Sequence, residues 1–129
     1  MKVLLDTHIF LWAVLEPERL PTRLRTLIES PETELIISTA SAWEIATKHR
    51  LGKLHGATEI IKRYPMVIAT LGATELPVLS AHALKAGGWD SPHRDPFDRM
   101  LAAQSHIENL PLLSVDKAMQ TFGISLIAE

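Results

Sequence analysis

Residues 2–15, KVLLDTHIFLWAVL, join a short, continuously apolar run to a polar Asp-Thr-His and then to a longer apolar segment. An uninterrupted apolar run of this length, bounded by polar residues, predicts a strand that is buried on both faces. Residues 7–15 predict a helix, which Pro17 ends. A buried strand that leads directly into a helix is the repeating unit of a parallel sheet covered by helices.

The same alternation continues to the end of the chain. Further helices are predicted at residues 21–30, 41–52, 80–88, 95–110 and 116–123, and residues 56–72 predict a helix broken at Pro65. Further strands are predicted at 34–38, 74–79, 110–116 and 124–128. Pro77 indicates that the strand at 74–79 lies at an edge of the sheet. We expect Ser80 to cap its helix. Together these patterns predict an α/β protein with a mainly parallel sheet covered on both faces.

The size and composition of the chain limit the classes of protein to which it can belong. Its 129 residues predict a single domain, 1–129, with an ordinary globular composition. The absence of cysteine excludes disulfides, thiolate metal sites and cysteine nucleophiles, and it fits a reducing compartment. Asp6 interrupts the first apolar run, so no signal peptide is predicted, and no apolar stretch reaches the roughly 20 residues that span a bilayer. We therefore expect a cytoplasmic protein without membrane contact.

The formal net charge is −2, whereas proteins that rely on phosphate contacts are usually basic. Nucleic-acid binding by this chain therefore requires a local basic patch or a bridging metal ion. The best candidate for the patch is KHRLGK, residues 48–53, although charged runs on helices are usually ordinary solvated surface.

Acidic residues follow the predicted strands. Asp6 comes directly after the first strand, Glu44 lies in the first turn after the second, and Asp116 follows the strand at 110–116. Asp95 and Asp98 open the helix that leads back into that strand. Each acid also has a simpler explanation as a helix cap, a capping box from Ser41 to Glu44, or a partner of the helix dipole.

The predicted topology brings these acids together. Because right-handed crossovers place the carboxyl ends of parallel strands at one edge, Asp6, Glu44 and Asp116 should converge there, and Asp98 can join them. Several carboxylates in one cleft repel each other unless protons or a cation neutralise them. Oxygen ligands without cysteine or a paired histidine motif suit Mg²⁺ or Mn²⁺. We expect Asp95 to act as the cap and Asp98 to join the cluster.

Four stretches, VLLDTHIFLW, STASAWEIATKHRLGKL, HRDPFDRMLAAQ and LPLLSVD, resemble in this order the PIN-domain ribonucleases, and most closely the VapC-type toxins of prokaryotic toxin–antitoxin pairs. The resemblance covers nearly the whole chain. It implies a three-layer α/β/α sandwich around a five-stranded, mainly parallel sheet. It also implies a metal-dependent endoribonuclease that hydrolyses RNA phosphodiester bonds and is inhibited by a cognate antitoxin. A homodimer, and a hetero-oligomer with the antitoxin, are the implied assemblies.

The resemblance also assigns roles to individual residues. The catalytic and metal-binding acids, with Mg²⁺ or Mn²⁺ as cofactor, would be Asp6, Glu44, Asp98 and Asp116. Supporting roles near the metal would fall to Thr7, Ser114, Asp95 and His93. Contacts with RNA phosphates would come from Arg94, Lys48, Arg50 and Lys53. Water would attack the phosphate and leave a 5′-phosphate and a 3′-hydroxyl, and the choice between one and two metal ions stays open.

The three tryptophans divide by their setting. Trp12 and Trp43 lie in apolar helical patterns, which favour packing in the core or in a dimer interface. Trp89 lies in the loop GGWDSP and is the best candidate to stack on a base.

Other functions for an acidic α/β domain remain as alternatives. A phosphate-acceptor signalling module needs paired acids after the first strand, and a phosphatase with an aspartyl nucleophile needs Asp-x-Asp there, whereas this chain has Asp6 followed by Thr7 and His8. A non-catalytic binding subunit of the same fold has no need of four mutually repelling carboxylates. A DNA-directed nuclease is the alternative that the sequence distinguishes least.

Overall fold

The computed structural model describes residues 1–129, at whose centre lies a five-stranded sheet with the strand order β3-β2-β1-β4-β5. All neighbouring strands are parallel. The strands are β1 (Lys2–Leu5), β2 (Glu34–Ser38), β3 (Ala73–Leu76), β4 (Leu112–Leu113) and β5 (Leu126–Ile127). The predicted parallel α/β architecture is confirmed, and β3 occupies an edge as Pro77 indicated.

Seven α-helices connect and cover the strands. They are α1 (Thr7–Leu15), α2 (Thr22–Glu29), α3 (Thr39–Arg50), α4 (Thr58–Lys62), α5 (Tyr64–Leu71), α6 (Ser80–Gly88) and α7 (Pro96–Glu108). Short 3₁₀ helices occupy Pro17–Arg19 and Lys117–Phe122. The predicted break in the helix at 56–72 is confirmed, because α4 ends before Arg63 and Pro65 lies in the first turn of α5.

The strands bury side chains on both faces, as their continuously apolar sequences predicted. On one face of β1, Val3 and Leu5 belong to the larger core together with Phe10 of α1. On the opposite face, Leu4 packs in a smaller core with Leu101 of α7. Because alternate side chains of a strand point to opposite faces, this division produces three layers, with the sheet between two sets of helices.

The structure corrects several predicted element boundaries. Helix α3 begins at Thr39 rather than Ser41, because Ser38 at the end of β2 accepts a hydrogen bond from the Ala40 amide at 3.0 Å. The capping box from Ser41 is wrong, since the Ser41 hydroxyl instead shares a 2.9 Å hydrogen bond with Thr7.

The helix at 80–88 also starts differently from the prediction. Ser80 is the first helical residue rather than the cap, and the amide of the preceding Leu79 donates to Nδ1 of His82 at 2.9 Å. A histidine three residues into the helix therefore performs the capping that we expected from serine.

The last two strands are shorter than predicted. Strand β4 ends at Leu113, and the hydroxyl of the next residue, Ser114, donates to Asp6 and accepts a hydrogen bond from the Asp116 amide at 3.1 Å. None of the helices is long and apolar enough to cross a membrane.

Candidate active site

The predicted convergence of side chains occurs where β1 and β4 end. These strands pair in parallel with Leu5 beside Leu113, so the residues that follow, Asp6 and Ser114, are neighbours. The Ser114 hydroxyl donates to Asp6 Oδ2 at 2.6 Å, and the Asp6 amide donates to the Leu113 carbonyl at 2.9 Å. The register of two strands that lie far apart in sequence therefore fixes the Asp6 carboxylate at the edge of the sheet.

Asp6 is a buried acid that does not cap its helix. It occupies the N-cap position of α1, but its side chain makes no capping hydrogen bond. Burial raises its pKa above the usual range and Glu44 adds to the rise, whereas the Ser114 hydrogen bond and His8 act in the opposite direction. The simpler explanation of Asp6 as a helix cap is therefore wrong. Its carboxylate is available to interact with groups in the cleft.

Glu44 extends into the same cleft from α3 and is only 2% exposed. Its Oε2 accepts a hydrogen bond from Nζ of Lys48 one turn later, whereas its Oε1 is buried and has no hydrogen-bond partner. A buried carboxylate oxygen without a partner is unfavourable and uncommon. It is therefore an available ligand for a cation or a water molecule.

Lys48 lies within the acidic cluster, although we expected it among the surface groups that contact RNA. Burial lowers its pKa, but the hydrogen bond and charge of Glu44, helped by Asp95 and Asp98, outweigh burial and raise the pKa above the usual value. Its ammonium group therefore neutralises part of the cluster. A role in RNA binding stays a prediction.

Asp95 and Asp98 have the different roles that the sequence suggested. Asp95 Oδ1 accepts hydrogen bonds from the amides of Phe97 at 2.8 Å and Asp98 at 3.1 Å, which makes Asp95 the N-cap of α7. Asp98 turns into the cleft, where its Oδ2 lies 2.8 Å from Nε2 of His93. Because an ionised carboxylate only accepts hydrogen bonds, His93 is the donor.

The electrostatic environment of Asp98 is also unfavourable for a negative charge. Burial, together with the charges of Asp6, Asp95 and Glu44, raises its pKa to about 6, although the His93 hydrogen bond opposes the rise. Burial and like-charge repulsion both favour the protonated form of a carboxylate. A bound cation would relieve both effects.

Asp116 joins the cluster from the short segment that follows β4. Its Oδ1 accepts a hydrogen bond from the Ala118 amide at 2.9 Å and so caps the following 3₁₀ helix. One potential ligand atom from each of His93, Asp98 and Asp116 lies within 4.8 Å of the other two. Capping and metal binding are therefore compatible at Asp116, since its second oxygen does not take part in the cap.

Arg99 is a residue of the site that sequence reasoning missed. Its guanidinium group donates to the carbonyls of Ala86 at 2.7 Å, Ser91 at 3.1 Å and His93 at 2.7 Å, and also to that of Trp89. These contacts hold the irregular segment 89–95 against α7 and fix the backbone of His93. The sequence signal for this role was the position of the arginine, directly after Asp98 and shortly after a loop. The carbonyls of such a loop lack partners in a strand or helix, so they are available to accept from a guanidinium group.

The remaining predicted site residues lie outside the cluster. Thr7 supports the cleft through its hydrogen bond to Ser41. The side chains of Arg50, Lys53 and Arg94 are exposed, so they remain candidates for contact with a polyanion.

The structure confirms the predicted setting of Trp12, which packs against the larger core, but differs from the prediction for the other tryptophans. Trp43 is 59% exposed, and its ring lies edge-on against Phe97 with 4.7 Å between centroids. Of its two predicted settings the core is therefore wrong, and the dimer interface stays a prediction. The ring of Trp89 packs edge-on against Phe122 at 5.1 Å, and Lys85 lies over it at 4.4 Å. Trp89 is therefore part of the smaller core rather than an exposed stacking surface.

The donors in the cleft fit a divalent cation. Four carboxylates face a single ammonium group, and one of their buried oxygens lacks a partner. Oxygen donors with one imidazole suit Mg²⁺, Mn²⁺ and neighbouring transition ions rather than a thiolate-dependent metal. Fold and site together define a three-layer α/β protein with an acidic, cation-compatible cleft at the carboxyl end of a parallel sheet.

Residues 3–124 match the PIN domain family, and the chain belongs to this family. The resemblance found in the four sequence stretches is thereby confirmed at the level of the family. No curated protein sequence matches the chain significantly.

Solved structures share the fold over nearly the whole chain. A chain in the crystal structure of VapBC2 from Rickettsia felis, bound to a DNA fragment from their promoter, has a TM-score of 0.68 at 14% identity, with 98% of each chain covered. A chain of FitAcB from Neisseria gonorrhoeae has a TM-score of 0.62 at 16% identity, with 99% of this chain and 97% of that chain covered. FitAB bound to the IR36 DNA fragment gives a TM-score of 0.58 at 18% identity, with coverage of 98% and 94%. At such identities the likeness establishes the fold.

Proposed function

We propose that this protein is a divalent-metal-dependent endoribonuclease that acts as the toxin of a toxin–antitoxin pair. The observation that supports this most strongly is the convergence of Asp6, Glu44, Asp98 and Asp116 on one cleft with a single neutralising lysine. Nuclease chemistry is what the PIN domain suggests, and VapBC and FitAB, whose structures share this fold, support the assignment as a toxin.

The chain's own residues divide the work in the proposed reaction. Asp98 and Asp116 would be the principal ligands of Mg²⁺ or Mn²⁺, and Asp6, which Ser114 orients, would bind it directly or through water. When bound, such an ion lowers the pKa of a coordinated water and stabilises charge on phosphate oxygens. Glu44 Oε1, which has no hydrogen-bond partner, would orient the attacking water or bind a second ion. Attack by water rather than by the ribose 2′-hydroxyl would leave a 5′-phosphate.

RNA and a partner protein are the proposed macromolecular ligands. Exposed Arg94, Arg50 and Lys53 are the proposed phosphate contacts, positive groups in a chain whose overall net charge is −2. A cognate antitoxin and a second copy of the chain are the proposed protein partners. VapBC2 and FitAB are assemblies of two named components bound to DNA, which supports an antitoxin partner here.

The test is cleavage of a mixed, end-labelled RNA pool with Mg²⁺, with Mn²⁺ and with EDTA. Asp116→Asn is a suitable variant because asparagine can still cap the 3₁₀ helix, and exposed Asp90→Asn is the matched control. We expect cleavage only with metal, unchanged in the control, and more than about 100-fold slower in Asp116→Asn, since even supporting residues of metal sites contribute about 10- to 100-fold. Metal binding without cleavage of RNA or DNA would instead favour a non-catalytic subunit.

Growth of a bacterial host tests the assignment as a toxin separately. Expression of the wild-type chain alone should arrest growth, and Asp116→Asn, expressed to the same level, should not. Nuclease activity in vitro without growth arrest would support the enzymatic activity and contradict the role as a toxin.

A further inference from the structure

We propose that Nε2 of His93 is a direct ligand of the metal ion, so that the site is a mixed nitrogen–oxygen site that favours Mn²⁺ and other transition ions over Mg²⁺. This inference rests on the proposed metal-dependent function and deepens it. It assigns His93 to the reacting centre and specifies the ion class, which the acidic residues alone leave open.

The geometry places the imidazole among the ligands. The nearest donor atoms of His93, Asp98 and Asp116 all lie within 4.8 Å of one another. Ligands about 2.1 Å from one ion lie about 3 to 4 Å apart, so three atoms at these separations can bind one cation after small adjustments. The separation of 2.8 Å between His93 Nε2 and Asp98 Oδ2 is close to that of two adjacent ligands.

The protein also fixes the ring in this orientation. Arg99 holds the His93 carbonyl at 2.7 Å, and the Ser91 hydroxyl accepts from the His93 amide at 3.3 Å. The ring packs edge-on against Phe122 with centroids 5.5 Å apart, and the side chain is only 19% exposed. A histidine serving only as a surface group would not need its backbone and its ring held by separate contacts.

The chemistry of the ring permits ligation without a change of charge. While the Asp98 carboxylate is ionised it can only accept, so the tautomer of His93 with hydrogen on Nε2 donates to it. A neutral imidazole carries one N–H, and moving that hydrogen to Nδ1 leaves the Nε2 lone pair for the ion. Imidazole is a ligand that transition ions accept more readily than Mg²⁺, which prefers carboxylates and water.

The decisive measurement is pulsed electron paramagnetic resonance of the protein loaded with Mn²⁺. The samples are the wild-type protein, His93→Gln, which keeps a group able to donate a hydrogen bond to Asp98, and His55→Gln, whose exposed side chain lies outside the cluster. We expect nitrogen modulation from a coordinated imidazole in the wild type and in His55→Gln, and its loss in His93→Gln. We also expect Mn²⁺ affinity to fall at least about tenfold in His93→Gln, with a smaller change for Mg²⁺.

The other outcomes separate this inference from the proposed function. If the wild type binds Mn²⁺ without nitrogen modulation, and His93→Gln weakens both ions equally, His93 only positions Asp98 and the inference is overturned while the metal site stands. If the folded wild type binds neither ion, the metal-dependent function fails as well. Circular dichroism of each variant confirms that a lost signal reflects the ligand and not unfolding.

Discussion

A histidine pairs with a carboxylate near each end of helix α7, and the two pairs have nearly the same separation in very different surroundings. At its start, His93 Nε2 lies 2.8 Å from Asp98 Oδ2, and at its end His82 Nε2 lies 2.9 Å from Glu108 Oε2. A hydrogen-bonded pair of this kind is therefore not by itself a sign of function in this protein.

The surroundings explain the difference between the pairs. His82 is fully buried and uses both ring nitrogens within the protein, because Nδ1 accepts from the Leu79 amide while Nε2 pairs with Glu108. This pair connects α6 to α7. Asp98, in contrast, is largely buried among further carboxylates: burial raises its pKa, and the charges of Asp6, Asp95 and Glu44 raise it further. An excess of negative charge, rather than the pair itself, distinguishes the candidate active site from a structural contact.

The largest expected effect is the loss of metal binding in Asp98→Asn. Because this change removes a proposed principal ligand and one negative charge, we expect Mn²⁺ affinity to fall by more than about 100-fold. The increase in melting temperature that saturating Mn²⁺ gives the wild type should then disappear. Isothermal titration and thermal melting measure the two effects, and an unchanged affinity would show that the excess charge at this end of α7 does not bind metal.

The converse change, His82→Ala, should reduce stability and spare the metal site. Removing the ring leaves the Leu79 amide unpaired and a cavity between α6 and α7, which should lower the free energy of unfolding by about 2 kcal/mol. Urea denaturation measures the loss. Mn²⁺ affinity of the folded variant should stay within about twofold of the wild type, and a large fall would make the two pairs parts of one site.

The pH dependence of the metal-free protein tests the charge repulsion directly. The pKa of Asp98 is about 6 in the folded protein against an ordinary value of 3.8, so between these values the folded state binds more protons than the unfolded state. Stability should therefore fall as pH rises through this range, by roughly 1 to 2 kcal/mol after allowance for partial exposure.

The difference between wild type and Asp98→Asn isolates this contribution. In the absence of metal, Asp98→Asn should be the more stable protein at neutral pH, and the two should converge at a pH below about 4, where both side chains are uncharged. Urea denaturation across this pH range measures the difference. An equal pH dependence in both proteins would remove the evidence for repulsion at Asp98.

The smallest expected effect concerns Asp95, which shares the start of α7 with Asp98. Asp95→Ala should lower stability by about 1 kcal/mol through loss of the N-cap, whereas Asp95→Asn should be close to neutral because asparagine caps equally well. We expect both variants to retain Mn²⁺ affinity within about threefold. A loss of Mn²⁺ affinity in Asp95→Asn would show that Asp95 is a metal ligand and not only a helix cap.

Local pattern was sufficient to predict much of this molecule. The strand 34–38 and the helix 7–15 have the predicted bounds, because continuous apolar runs and helix breakers act on neighbouring residues. The assignment of Asp95 as cap and Asp98 as inward-facing acid also holds, since capping depends on the geometry of one helical turn. Where prediction was wrong, as for the capping box of α3 and the cap of α6, the deciding partners were specific side-chain contacts that pattern does not encode.

By itself, the sequence determined the α/β class, the parallel sheet and the placement of acids after strands, because these depend on the periodicity and order of neighbouring residues. Only the tertiary structure decided that Ser114 orients Asp6 across 108 positions and that a Glu44 oxygen is left without a partner. The same holds for Arg99, whose contacts orient His93 towards the acids. These contacts depend on strand register and on how a loop packs against a helix, and such distant pairings form only when the whole chain folds.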